Sequence, residues 1–170
     1  MRSVAIGWSL VLVTILSTSS ARATTLTVPD DVPTIQAALD ATVDSVLVRP
    51  GMFPETPTIV RPVVLAALEN SSQDLPTIAG VHVVTQRAGS MLLSRLRFSR
   101  SVDISNPVPN NRIEFRDCVA DSAITSAQQI HYPAARLRFL RCTIHDLPDA
   151  YADSVEVDSC LIFGSSQKSV

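Results

Sequence analysis

From residue 45 onward the chain is a succession of short apolar runs broken by turn-forming residues. Ser45-Val46-Leu47-Val48-Arg49 is followed by Pro50-Gly51, then Thr58-Ile59-Val60, then Pro62 through Leu68. These runs are rich in β-branched residues, and Pro, Gly, Asn or Ser recurs between them too often for a helix to extend. Thr77 to Gly80, Val81 to Val84 and Ser90 to Leu93 have the same character and predict further short strands. One earlier segment differs. Ile35, Ala38 and Leu39 fall at i, i+3 and i+4, with Thr42 or Val43 continuing the stripe and Gln36 and Asp40 outside it. Thr34 is placed to N-cap this short helix. A helix of this length is marginal alone and must dock on an apolar surface.

The second half repeats itself. Four segments align without gaps, beginning at Leu96, Ile113, Leu137 and Val155, at offsets of 17, 24 and 18 residues. Unequal offsets with a shared pattern fit solenoid coils whose loops vary while their strands stack. The first and third columns are apolar: Leu96, Ile113, Leu137, Val155 and Phe98, Phe115, Phe139, Val157. Positions two apart share a strand face, which must point inward. The second column alternates in sign: Arg97, Glu114, Arg138, Glu156. The fifth does so for three coils: Arg100, Asp117, Arg141, then Ser159. Parallel in-register strands lie about 4.8 Å apart, so alternating charges attract along such a ladder while equal charges would repel. The sixth column, Ser101, Cys118, Cys142 and Cys160, is small and is expected inward just past a bend. The pattern predicts an all-β parallel solenoid of six or seven coils.

Residues 27–68 carry a more specific likeness. Ile35-Gln36-x-Ala38-Leu39, then Val46-x-Val48-x-Pro50-Gly51-x-Phe53-x-Glu55, then Ile59 and Val63-x-Leu65, resemble the opening of pectin-methylesterase-like proteins. These belong to the pectin-lyase-like right-handed parallel β-helix superfamily. The resemblance implies a right-handed β-helix whose open end is capped by the short helix. Val43-Asp44 stands where the family usually has Gly-Asp, which bears on the helix-to-strand turn.

The first residues belong to a different category. Arg2 precedes an apolar run from Val4 to Leu16, too short for a comfortable membrane span, and Ala21-Arg22-Ala23 is an A-x-A cleavage pattern. We expect residues 1–23 to be a signal peptide and residues 24–170 an exported β-helix domain with no membrane association after cleavage. Loss of Arg2 and Arg22 takes the basic residues from 14 to 12 against 16 acidic ones, about −4 overall. That balance argues against nucleic acid. Export permits disulfides. Cys118, Cys142 and Cys160 in one column are within reach of a bridge, but a row of inert buried thiols is the favoured expectation.

Candidate chemistry is sparse. Enzymes of the resembling families combine Asp, Arg and Gln side chains from adjacent coils, or a calcium-binding carboxylate cluster. Gln128-Gln129 lacks a matching motif, and Asp30-Asp31 precedes the cap helix. Asp146, Asp149 and Asp153 are too few for calcium's six to eight oxygens, so no metal and no cofactor is expected. His131 and His145 lack an evident partner. Arg95, Arg112 and Arg136 each sit just before a repeat strand and form the candidate ligand-binding set, a row that could track a polyanion. The expected function is an exported noncatalytic module with a structural, surface or polysaccharide-binding role, its partner an acidic polysaccharide. The alternative is a small or degenerate pectin-active lyase or esterase. Because no C-terminal cap helix is evident after Phe163-Gly164, we expect either self-association through the C-terminal coil or a chain truncated before its cap.

Overall fold

The computed structural model describes residues 23–68, 74–84, 86–105, 110–122, 124–126, 136–145 and 154–164. It opens with β1 (Thr25–Val28) and α1 (Ile35–Asp40). The first coil is β2 (Ser45–Val48), β3 (Met52–Phe53) and β4 (Thr58–Ile59), and the second is β5 (Val64–Ala67), β6 (Thr77–Ile78) and β7 (Val81–Val84). The third is β8 (Ser90–Ser94), β9 (Arg97–Phe98) and β10 (Val102–Ser105), and the fourth is β11 (Arg112–Arg116), β12 (Val119–Ala120) and β13 (Ile124–Ser126). β14 (Arg136–Leu140) and β15 (Thr143–His145) continue, followed by β16 (Ser154–Asp158) and β17 (Leu161–Phe163).

Every pairing is parallel. The first sheet runs β1-β2-β5-β8-β11-β14-β16, the second β3-β6-β9-β12-β15-β17 and the third β4-β7-β10-β13. The protein is a right-handed parallel β-solenoid of about five turns, in the general shape of the pectin-lyase-like superfamily. The expectation of six or seven coils is an overcount of these turns, because a uniform coil of about 20 residues leaves no allowance for the lead-in, the cap helix and the longer loops. Among the described residues, no helix is long and apolar enough to cross a membrane.

Inward side chains stack rung on rung. Val46, Leu65, Leu93, Phe115 and Phe139 are all buried in the first sheet, with Phe115 and Phe139 stacked at 5.1 Å and 14°. From the second sheet Phe98 meets Phe115 edge-on at 6.4 Å. This apolar pillar replaces the sheet-on-sheet core of a globular β protein, and its burial is the main stabilising term.

The N-terminal end is closed as the local pattern predicts. Ile35, Ala38 and Leu39 of α1 are buried, as is Val43 just beyond it. Thr34 Oγ1 accepts from the Ala37 N–H at 3.1 Å. The Glu55 carboxylate accepts from the N–H groups of Ile35 (2.9 Å) and Gln36 (3.1 Å), so the Glu that ends the Pro-Gly-x-Phe-x-Glu run caps a helix 20 residues earlier. At the other end of α1, the Arg61 guanidinium donates to the carbonyls of Leu39 and Val43. The turn lacking the usual Gly is made by Thr42 at φ 57°.

The register corrects one part of the repeat. Ile113, Leu137 and Val155 share a column as expected, but the coil before them contributes Met91, not Leu96. Leu96-Arg97-Phe98 belongs one side further on, where Arg97 pairs with Val119 and Phe98 with Ala120. The second column is therefore Leu92, Glu114, Arg138, Glu156. The turn that follows holds Arg95, Asp117, Arg141 and Ser159, in place of the expected Arg100. The ungapped alignment failed because this coil offers two apolar-x-apolar pairs, Met91-x-Leu93 and Leu96-x-Phe98, and only strand pairing distinguishes them. Alternation of sign survives the correction. Arg138 lies between Glu114 (3.9 Å) and Glu156 (3.2 Å), and Arg141 forms a two-pronged pair with Asp117 at 2.6 and 2.7 Å.

The four turn residues adopt the same left-handed conformation, with φ between 51° and 56°. Such a conformation costs a non-glycine residue about 1 kcal/mol or more. Each of the first three N–H groups donates at 2.9 Å to the next rung: Arg95 to Arg116, Asp117 to Leu140, Arg141 to Asp158. The backbone ladder thus continues around the corner and offsets the strain.

Val155, Val157, Leu161, Ile162 and Phe163, on the last rung, are exposed, Leu161 by 62% and Phe163 by 52%.

Candidate functional site

The outer face of the first sheet changes character along the solenoid. Its early rungs present Thr25 and Thr27, Ser45 and Leu47, Val64 and Ala66, then Ser90, Leu92 and Ser94. Its later rungs present Arg112, Glu114 and Arg116 on β11, and Arg136, Arg138 and Leu140 on β14. Strand alternation fixes this, because the residues between them are the buried pillar.

Glu114 is the centre of the charged part and is only 8% exposed. Arg116 donates to its Oε1 at 2.5 Å and Arg112 to its Oε2 at 3.3 Å, while Arg138 stands 3.9 Å from Oε2. A carboxylate this enclosed requires such partners. One negative charge is thereby set among three guanidiniums, and Arg136 is the register partner of Arg112 on the next rung. Among the described residues Arg136 makes no ion pair. Beside this cluster lies a shallow groove of about 390 Å³, bounded by Val64, Leu92 and Ser90 on one side and Arg112, Arg116 and Arg138 on the other. An apolar floor with a cationic wall suits a flat polar ligand bearing carboxylate or sulfate groups, which guanidinium forks bind in two-pronged fashion.

Arg112 and Arg136 therefore come together as the sequence suggests. Arg95 does not join them. It occupies the turn at the far end of β8, and Ser90 stands where the proposed column needed it. Arg95 instead adds to the positive field on Asp117, whose carboxyl is held below its ordinary value mainly by the Arg141 hydrogen bond. Arg116 and Arg138 were missed as site residues. Their signal was present, since both lie two residues from a neighbouring charge on the same strand face.

Other chemistry-bearing groups are separate from this groove. His82 Nε2 and Ser105 Oγ lie 2.9 Å apart on the outer face of the third sheet, a pair that no sequence spacing announced. A second groove, about 550 Å³, is lined by Pro50, Met52, Asp74, Thr77 and Arg97, but Arg97 is already bound two-pronged to Asp121 at 2.6 and 3.0 Å. His145 stacks on Phe163 at 5.0 Å. Among the described residues no three His, Cys, Asp or Glu side chains are grouped to hold a metal ion. Gln128, Gln129, His131, Asp146, Asp149 and Asp153 lie outside the described residues, as does all but the last residue of the expected signal peptide.

Comparison of the chain with protein-family models, with curated proteins and with solved structures found no match.

Proposed function

We propose that this chain is an exported, noncatalytic β-helix module that binds acidic polysaccharide along the outer face of its first sheet. The observation that carries the reading is the groove where Arg112, Arg116 and Arg138 face an aliphatic floor, with Arg136 extending the cationic edge. The rest of the chain is net acidic, so a polyanion would be drawn to this face specifically. Glu114, the one carboxylate in the groove, already has Arg112 and Arg116 on its two oxygens, which argues against its service as a catalytic base.

Polygalacturonate is the probe, with neutral dextran as control. Binding should weaken about tenfold or more in Arg112→Gln/Arg136→Gln, as loss of two charge-assisted contacts requires, and should fall as salt rises. Arg95→Gln should bind like the parent. Equal binding of dextran, or unchanged binding in the double variant, would overturn the reading. Turnover of polygalacturonate or of its methyl ester would favour the lyase or esterase alternative instead. The same proposal includes self-association through the exposed last coil. Sedimentation showing a monomer at high concentration would remove that part.

A further inference from the structure

Among the described residues the cysteines form a column at the edge of the apolar core, Cys118 and Cys142 within it and Cys160 packed against it. Val119, Thr143 and Leu161 are register partners, so Cys118, Cys142 and Cys160, each one residue earlier, stack on successive rungs. Each follows a left-handed turn residue, so these side chains leave a corner rather than a regular pleat. Rungs about 4.8 Å apart fall inside the Cα separation a disulfide spans. The Cys142 N–H donates to Cys160 Sγ at 3.3 Å, which puts that sulfur directly over the Cys142 backbone.

The three thiols are not equivalent. Cys118 and Cys142 are buried, whereas Cys160 is partly exposed. Cys118 is pushed well up, chiefly by burial. Cys142 is held down to about 7, chiefly by its hydrogen bond with the Cys118 side chain. Cys160, the one of the three that solvent reaches, is pushed up, chiefly by burial, so its thiolate forms at alkaline pH and the geometry, not its acidity, selects it.

We propose that Cys142 and Cys160 are a reversible thiol–disulfide pair that fastens the last coil, β16–β17, to the body of the solenoid. The oxidant is a small-molecule disulfide. The Cys160 thiolate attacks one of its sulfurs, forming a mixed disulfide and releasing one thiolate. The Cys142 thiolate then attacks Cys160 Sγ, forming the protein disulfide and releasing the second. Two protein thiols are oxidised by two electrons, and one external disulfide is reduced to two thiols. Among the described residues the coil so fastened leaves Val157, Leu161 and Phe163 exposed, so a covalent tie adds to the modest burial that holds it.

The test is incubation of the purified full chain with oxidised glutathione, followed by denaturation, alkylation, tryptic digestion and mass spectrometry. Trypsin leaves Cys142 and Cys160 together on residues 142–168 and Cys118 on residues 117–136. The expected result is peptide 142–168 two hydrogens lighter and unalkylated, with Cys118 fully alkylated. Cys142→Ser should stop at a stable glutathione adduct on Cys160, and Cys160→Ser should remain fully reduced. A link joining the two peptides, a persistent glutathione adduct on the parent chain, or no oxidation at all would overturn the proposal. If Cys142→Ser does not fold, the mass of the parent peptide decides by itself.

Discussion

Glu55 joins the first coil to the cap, and its removal probes the fold at that joint. α1 has six residues, and its first N–H groups have no partner within the helix. Thr34 Oγ1 takes the Ala37 N–H, and Glu55 takes those of Ile35 and Gln36. Glu55→Ala leaves two N–H groups unpaired in a half-buried position. A lost helix cap costs about 0.5–2 kcal/mol, and a hydrogen bond to a charged group contributes about 1.5–3 kcal/mol when well buried. Since water can partly replace Glu55, the lower range applies to each bond, giving about 1–3 kcal/mol in total. A six-residue helix has little stability of its own, so fraying here also loosens Ile35, Ala38 and Leu39 over the pillar. Urea unfolding is the assay. With a slope of about 1–3 kcal/mol per molar, the midpoint should fall by roughly 1 M. Glu55→Gln keeps one acceptor oxygen and should lie between the parent and Glu55→Ala. A Glu55→Ala midpoint equal to the parent's would refute the capping argument. Equality of Glu55→Gln with the parent would show that the negative charge contributes nothing.

Three further outcomes follow from the same structure. A Cβ at Gly80 would sit 2.5 Å from the Ser101 carbonyl oxygen, so Gly80→Ala should destabilise by about 1–3 kcal/mol in thermal or urea unfolding. Phe139→Ala should cost about 3–5 kcal/mol by emptying a buried site stacked on Phe115. Val157→Ala, one rung on in the same column but 42% exposed, should cost under about 1 kcal/mol; similar losses at both positions would refute the pillar. Asp117 has a folded-state pKa below its usual 3.8 because Arg141 donates to it, so its contribution is present above about pH 4 and is lost as pH falls through the lower folded value. Stability curves of Asp117→Asn and the parent should therefore approach each other as pH falls below the usual carboxylate range and separate above it; a difference that stays constant across that acid range would contradict the pairing. Both partners are largely solvated, so added salt should shrink the separation.

Local pattern was enough for the elements whose causes are local. The spacing of Ile35, Ala38 and Leu39, the capping Thr34 and the alternation in Ser45 to Arg49 each depend on neighbours within a few residues. The repeat in the last three coils was legible as well, because Ile113-x-Phe115, Leu137-x-Phe139 and Val155-x-Val157 are the only apolar pairs there with a Cys three residues on. For the candidate site, Arg112 and Arg136 could be identified because they hold the same place before their strands. Arg95 was misplaced, and Arg116 and Arg138 went unrecognised.

What the sequence by itself determined was the short-strand character from Ser45 onward, the capping helix, the inward columns of the last three coils and the sign alternation that favours parallel stacking. Only the tertiary structure decided the register of the third coil, because Met91-x-Leu93 and Leu96-x-Phe98 satisfy the same inward pattern and differ only in which sheet accepts their backbone hydrogen bonds. That choice moved Arg95 from the groove to a corner. It also set Leu96, rather than Ser101, below the three cysteines. The partner of Glu55, some 20 residues away, was likewise settled only when one turn of the solenoid brought its carboxylate under the free N–H groups of α1.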